Sequence, residues 1–312
     1  MIRYSLFLSL FFASAAALLA QGGSTPYPRP TPDPVFPDER TSDAVRRAED
    51  LNRRSEALRM TQNLPPAVPD DKRAEFFAMI DPFYRATTEE ERAMMAPASD
   101  DLEAYSETIK GKDSGIFRLL RDKGCASNPK VVSASEDCAR LTMPGAGSGY
   151  SFRMADYRIL HLADLVFNKG MFEALGVLNH GIMTDLGDIP IESVSGKTEG
   201  VGYIAKLKPS KNFAEAGDLA KRLTSGIKEG GRTYASILPV RLNSTSVLRS
   251  IAYDGESLKK AGPFVFNELE LDKRRDILVA FRVVRLLNGD DATIIYRIVE
   301  DDKPPKLKAD KK

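Results

Sequence analysis

The sequence predicts an α+β fold in which a helical N-terminal region precedes a mainly antiparallel β domain with one packed helix. Three features carry that expectation. Residues 38–124 place apolar side chains at three-to-four spacing and contain capping motifs such as Thr88-Glu89-Glu90-Glu91, the pattern of amphipathic helices. Beyond Cys138, short runs rich in Val, Ile, Leu, Phe and Tyr alternate with Gly, Asn, Asp and Pro, the punctuation of β-strands. Asn288-Gly289-Asp290-Asp291 joins two such runs, 276–287 and 292–299, and Asn-Gly tolerates the positive φ that tight hairpins demand.

Taken in chain order, the first element is a targeting segment. Arg3 precedes an uncharged apolar run, 5–19, and a polar, proline-rich stretch follows it. A run of that length suits a secretory signal peptide better than a membrane span, which needs about 20 apolar residues. Cleavage can follow Ala17 or Ala20, and the favoured site is after Ala20, before Gln21; an uncleaved signal anchor is the competing reading. No cysteine follows the run, so a lipoprotein anchor is not expected. The mature chain is expected to be exported, periplasmic or extracellular.

Prolines at 26, 28, 30, 32, 34 and 37 hold the next stretch near polyproline II, which makes it a semi-rigid tether rather than a site for a proline-reading domain. The expected organisation is a signal peptide, 1–20, a linker, 21–37, a helical region, 38–124, a disulfide-containing β-rich domain, 125–302, and a basic tail, 303–312. With five lysines and two prolines, the tail reads as disordered, with weak attraction for anionic surfaces as the lesser reading.

Within the helical region, Ala44, Ala48, Leu51, Ser55 and Leu58 form a narrow stripe ended by Leu64-Pro65-Pro66. A surface helix explains it better than a coiled coil. A second helix starts near Asp70 and carries Phe76, Phe77, Met79 and Ile80 before Pro82. Thr88 and Glu91 cap a third, which includes Met94 and Met95 before Pro97, and Asp100 with Glu103 caps a fourth bearing Leu102, Tyr105 and Ile109. A fifth is expected from Ser114, burying Ile116, Phe117, Leu119 and Leu120, with Gly124 as its left-handed terminator.

The β-rich part is expected to hold strands at 150–153, 158–167, 171–178, 201–207, 233–240 and 247–253, besides the two hairpin runs. The continuous apolar content of those two runs predicts central strands covered on both faces. One helix interrupts the strands. Asn212 and Glu215 form its capping box, Phe213, Ala216, Leu219, Leu223 and Ile227 its apolar stripe, and Gly230-Gly231 its end.

Composition narrows the chemistry. The chain is 42% hydrophobic and 29% charged with formal net charge +1, which gives no sign of a nucleic-acid partner. No later run is apolar enough to span a bilayer in the mature chain, and Trp, the strongest stacking platform, is absent. Two cysteines in an exported chain are expected to pair, and a Cys125–Cys138 bond closing residues 126–137 is worth about 3 kcal/mol on the chain-entropy account. No further ligand has metal-site spacing near them, and Cys-x-x-Cys is absent. No metal and no cofactor is expected.

Several motifs fail on inspection. Pro144-Gly145-Ala146-Gly147-Ser148-Gly149 matches neither phosphate-binding glycine template and reads as a flexible turn, and Gly196-Lys197-Thr198 has Ile191 where a P-loop needs its first glycine. Ala146 breaks a nucleophile elbow at Ser148, and Ser-x-x-Lys recurs at Ser127, Ser225 and Ser257 without a Lys-Thr-Gly partner. His161 reads as a packed or rim histidine on a strand, although a helix there would pair it with Asp164; His180, beside Gly181, reads as a turn residue. Asp185 and Asp188 are the carboxylates best placed for a glycosidase-type pair, with a simple turn as the plainer explanation. Tyr150, Arg153 and His161 are the candidates for lining a ligand surface.

GSGYSFR at 147–153, ADL at 163–165, VLRSIAYDG at 247–255 and DILVAFRVVR at 276–285 occur in an order and spacing that resembles a group of exported bacterial proteins without assigned function. The resemblance covers roughly the C-terminal half and implies a shared fold and an exported location, with no site residues. The expected function is a non-enzymatic envelope or periplasmic protein that binds another envelope protein or a small ligand. The alternative is a hydrolase that uses carboxylates on envelope or extracellular polymers.

Overall fold

The computed structural model describes residues 68–124 and 142–308. The expected signal segment and linker, the stripe at 44–58, Cys125 and Cys138 lie outside the described residues. Within them the chain is a mixture of helix and mainly antiparallel sheet, and no described helix is long and apolar enough to cross a membrane.

The N-terminal part supplies three helices, α1 (Arg73–Tyr84), α2 (Glu89–Met94) and α3 (Ser99–Ala104). Helix α2 is capped as the sequence implies: the Thr88 hydroxyl accepts from Glu91 N, and the Glu91 carboxylate accepts from Thr88 N. Helix α1 runs two residues past Pro82 instead of ending before it. Helix α3 starts two residues earlier than its acidic cap predicts, from Ala98, with no side-chain cap. Asp101 instead makes a bidentate pair with Arg285, 2.6 and 2.9 Å, and ties the helix to a distant strand.

The fifth helix is not there. Residues Ser114–Leu120 form strand β1, although the sequence assigned them to the helical region. The fold around β1 comprises β2 (Gly149–Ser151), β3 (Asp156–Tyr157), β4 (Leu165–Asn168), β5 (Met171–Glu173), β6 (Leu175–Gly176) and β7 (Asn179–Gly187). Next come α4 (Val201–Lys206), α5 (Phe213–Ser225), β8 (Ile227–Glu229), β9 (Arg232–Tyr234), β10 (Ile237–Pro239) and β11 (Thr245–Ala252). The hairpin β12 (Leu258–Ala261) and β13 (Phe264–Asn267) precedes the long strands β14 (Asp276–Leu287) and β15 (Asp291–Asp302). A six-stranded sheet has the order β1-β15-β14-β11-β7-β6, and a five-stranded sheet the order β10-β5-β4-β2-β3.

β1 is a strand because β15 offers it a partner. Phe117 lies opposite Ile294, and the Arg118 guanidinium reaches Asp291 at 2.7 Å. An apolar 116-117-119-120 spacing fits both periods, so tertiary pairing decides. The β14–β15 hairpin is present where predicted, with Asn288 at φ 50° and Gly289 at φ 71°. Both long strands are buried on both faces. Val279 and Phe281 point into one apolar cluster, Leu278 and Ala280 into the other.

The first cluster fills the space between the two sheets and is aromatic: Phe117 stacks on Tyr150 at 3.8 Å, with Phe152, Phe281 and Tyr296 around them. The second lies between the six-stranded sheet and the helices, where Val201 and Ile204 of α4 and Leu219 and Leu223 of α5 meet Ile182, Val247 and Ile251. The predicted strand at 201–207 is therefore a helix. Gly200 takes a left-handed φ of 83° before it, and Val201 and Ile204 share the buried face at helical spacing. α5 is capped by Asn212, whose Oδ1 accepts from Glu215 N at 2.9 Å, but the Glu215 carboxylate returns to Lys211 N rather than to Asn212 N. The helix ends at Gly226, not Gly230-Gly231, and Ile227 belongs to β8.

Three expected strands divide. The run 158–167 becomes a turn followed by β4, with Leu162 N and Ala163 N both bonded to Ile159 O. The run 171–178 crosses from one sheet to the other at Ala174, and 233–240 splits into β9 and β10. The glycine-rich turn at 144–147 is buried rather than exposed and flexible: a Cβ on Gly145 would meet Arg158 O at 2.1 Å, so only glycine fits. The basic tail is laid down as far as Lys308. Asp254 N bonds to Pro305 O and Lys308 N to Lys211 O, both at 2.8 Å, so residues 303–308 run beside the body in parallel bridges.

Candidate functional site

The sequence candidates fall into three surroundings. Asp185, in β7, is held by its neighbours: Oδ1 accepts from Gly187 N at 2.8 Å and from the Ser244 hydroxyl, and Oδ2 pairs with Arg241 at 3.0 Å. Asp188 lies beyond the strand with its carboxylate pointing outward, 78% exposed, and pairs with Arg282 at 2.7 Å. Each carboxylate is thus engaged by an arginine of its own. Tyr150 is buried in the aromatic core. Burial and the neighbouring Tyr296 push its hydroxyl well above the usual range.

Arg153 and His161 belong to the most densely charged interior of the protein. Arg153 follows β2 in the turn toward β3, and its side chain has no exposure. Its Nε lies 3.0 Å from Asp164 Oδ1, and Nη2 donates to Leu162 O. Nη1 is 3.3 Å from Asp272, close enough for charge attraction but not aligned for a hydrogen bond. Asp272 is bound also by Arg274 at 2.9 Å, and Asp164 accepts from Ser151 and Ser250. Arg158 and Arg274 add two more buried guanidiniums. Burial lowers both, and Arg274, crowded also by Arg153, falls to about 10.

Three guanidiniums thus face two carboxylates. The excess is met by carbonyls: Tyr84 O and Leu271 O for Arg158, and Tyr253 O, Val177 O and Leu178 O for Arg274. Arginine suits this role because its fork of donors reaches several acceptors at once. The arrangement ties α1, the 158–164 turn, β11 and the segment before β14 into one piece.

Beside it lies a third buried carboxylate, Glu268, with no side-chain exposure. Oε2 accepts from Tyr84 Oη at 3.1 Å and from His161 Nε2 at 2.7 Å; Oε1 accepts from the Ser257 hydroxyl and lies 3.4 Å from Lys259 Nζ. Burial alone would raise the Glu268 carboxyl, but the His161 bond and charge, with Lys259 and Ser257, outweigh it and hold the group below the usual carboxylate range. Tyr84 is pushed up by burial and by Glu268. His161 is the half-open member of the set, 18% exposed, and sits on the turn rather than on a strand. Glu268 escaped sequence reasoning because Glu268-Leu269-Glu270 offers two identical acids and only the tertiary fold shows which one is buried.

His180 is not a turn residue. It lies in β7, where its Nε2–H donates to Ala216 O and its Nδ1 accepts from Tyr253 Oη, both at 3.0 Å. Burial lowers it to about 4. Among the described residues no group of three or more His, Cys, Asp or Glu side chains converges as a metal site. No family model, no curated protein and no solved structure matches this chain.

Proposed function

We propose that the chain is an exported, non-enzymatic protein that acts through its surface, as an envelope or periplasmic binding or interaction protein. The observation that carries this reading is the commitment of the candidate side chains to internal bonds. Asp185 and Asp188 are each neutralised by an arginine, Arg153 is enclosed, and His161 turns its Nε2 inward to Glu268. A group used in chemistry must be free to reach a substrate; Arg153 is enclosed, and Asp185, Asp188 and His161 are each engaged by a partner within the chain. The apolar run at 5–19 and the paired spacing of Cys125 and Cys138 support an oxidising, exported setting.

Export is tested by fusing residues 1–40 to a phosphatase reporter that is active only outside the bacterial cytoplasm. An active fusion, with thiol labelling that finds no free cysteine in the unreduced protein, is the expected result. An inactive fusion, or two reactive thiols in the exported protein, overturns the reading.

A further inference from the structure

Two copies of one tripeptide, separated by a hundred positions, lie on the same side of the protein. Lys206-Leu207-Lys208 leaves the end of α4, and Lys306-Leu307-Lys308 forms the docked tail. In both, the leucine is partly buried against the helix-side core while the two lysines are exposed. An extended backbone alternates its side chains, so anchoring Leu307 inward directs Lys306 and Lys308 outward, whereas Lys206 ends α4 and Lys208 follows the extended Leu207. Lys308 N donates to Lys211 O, and Lys308 pairs in parallel with Asn212, which sets the tail one strand spacing, about 4.8 Å, from the segment that carries Lys211.

Lys206, Lys208, Lys211, Lys306 and Lys308 are therefore held on an ordered backbone. Lys306 pairs with Asp254 at 3.0 Å, and Glu215 is spent on Lys211 N. The other four lysines make no ion pair among the described residues. Arg249 lies beneath them and donates to Ile204 O, Ala205 O and Leu207 O, but Asp276 at 2.8 Å matches its charge, so the field of this face comes from the exposed lysines. Lysines two apart on an extended segment are separated by about 6.6 Å, less than the Debye length of about 8 Å at physiological salt. They act on a partner as one field. With a net charge of only +1, the attraction is local to this face.

We infer that this lysine face is a docking surface for a bilayer that carries anionic phospholipid. The inference rests on the proposed reading of the chain as an exported interaction protein. Its charges are lysine ammoniums, which act as point charges and suit a field of phosphates better than a shaped ligand. The tail meets the 206–212 segment at Lys308, beside Asn212, and meets Asp254 at Lys306, so the lysines stand on adjoining surface segments.

Co-sedimentation of the full chain with phosphatidylcholine vesicles, with and without phosphatidylglycerol, tests the inference. Neutral vesicles give the baseline for the apolar N-terminal run. Binding should increase with phosphatidylglycerol and fall steeply between 50 and about 300 mM salt. Each lysine near an anionic surface is worth roughly fivefold in partition, so Lys208→Gln with Lys308→Gln should weaken the anionic increment about 25-fold. Lys228→Gln with Lys260→Gln, two exposed lysines elsewhere, should leave it unchanged, and circular dichroism should show both variants folded. Equal binding to neutral and anionic vesicles, an increment insensitive to the 208/308 pair, or retention by soluble dextran sulfate without vesicle binding would each overturn it. The export fusion reads location and this assay reads charge, so either reading can fail alone.

Discussion

Nε2 of His161 lies 2.7 Å from Oε2 of Glu268, and the imidazole helps cover a carboxylate that has no exposure of its own. The pair joins the turn after β3 to the segment before β14, and Tyr84 brings α1 to the same oxygen. A buried carboxylate with four donors is stable only as a set, because removing the charge strands its partners.

Glu268→Gln should therefore cost about 2–3 kcal/mol of stability and His161→Ala about 1 kcal/mol. The double variant should cost less than the sum, because each single change already breaks the shared bond. Urea unfolding of the four proteins measures the coupling. Strict additivity would show that the two side chains are not energetically coupled.

A second prediction follows from His180, whose folded pKa is depressed to about 4 by burial. Between about pH 6.5 and 4 the unfolded chain binds a proton that the folded chain refuses, so stability falls as pH falls through that window. At pH 5 the loss is about 2 kcal/mol relative to pH 7. Glu268, depressed below the usual carboxylate range, adds its own loss only at lower pH. Replacing the histidine with a neutral amide, His180→Gln, should flatten the fall in thermal midpoint between pH 7 and 5. An unchanged slope would assign the acid sensitivity to other groups.

The conflict over β1 yields a test of opposite signs. If Ser114–Leu120 were a helix, Gly115→Ala would stabilise it by up to about 1 kcal/mol. In the strand, a Cβ at position 115 would stand 2.8 Å from Cε1 of the buried Tyr296 ring. Gly115→Ala should then destabilise by about 1–3 kcal/mol. Thermal unfolding decides between the two.

That residue also marks how far the sequence could be read. Features whose signal is local were legible: the Thr88 capping box, the Asn212 cap of α5, the Asn288-Gly289 turn and the doubly buried runs on either side of it. Segments 114–120 and 201–206 were misassigned because four or so apolar residues satisfy both periods, and their partners, β15 and the face of β11, lie far along the chain. The site was less legible still. Arg153 and His161 stood out by type, and Asp164 only as a helical neighbour of His161 rather than as the partner of Arg153, but Glu268, Asp272 and Arg274 looked like any surface charge until the fold enclosed them.

The tail gives the last prediction. Composition alone makes residues 303–312 a disordered basic extension, yet Leu307 packs against the helix-side core and the 303–308 backbone is bonded on both sides. Trypsin distinguishes the two states, since it must draw an extended, unpaired segment into its cleft. The bond after Lys306 should resist cleavage in the native protein at low protease. Leu307→Ala removes the apolar contact that seats the segment, at a cost of roughly 1 kcal/mol for a half-buried side chain, and should open the Lys306 bond to cleavage while global stability changes little. Rapid cutting after Lys306 in the unaltered protein would mean that the tail is not docked. The lysine face would then lose the backbone that aligns it.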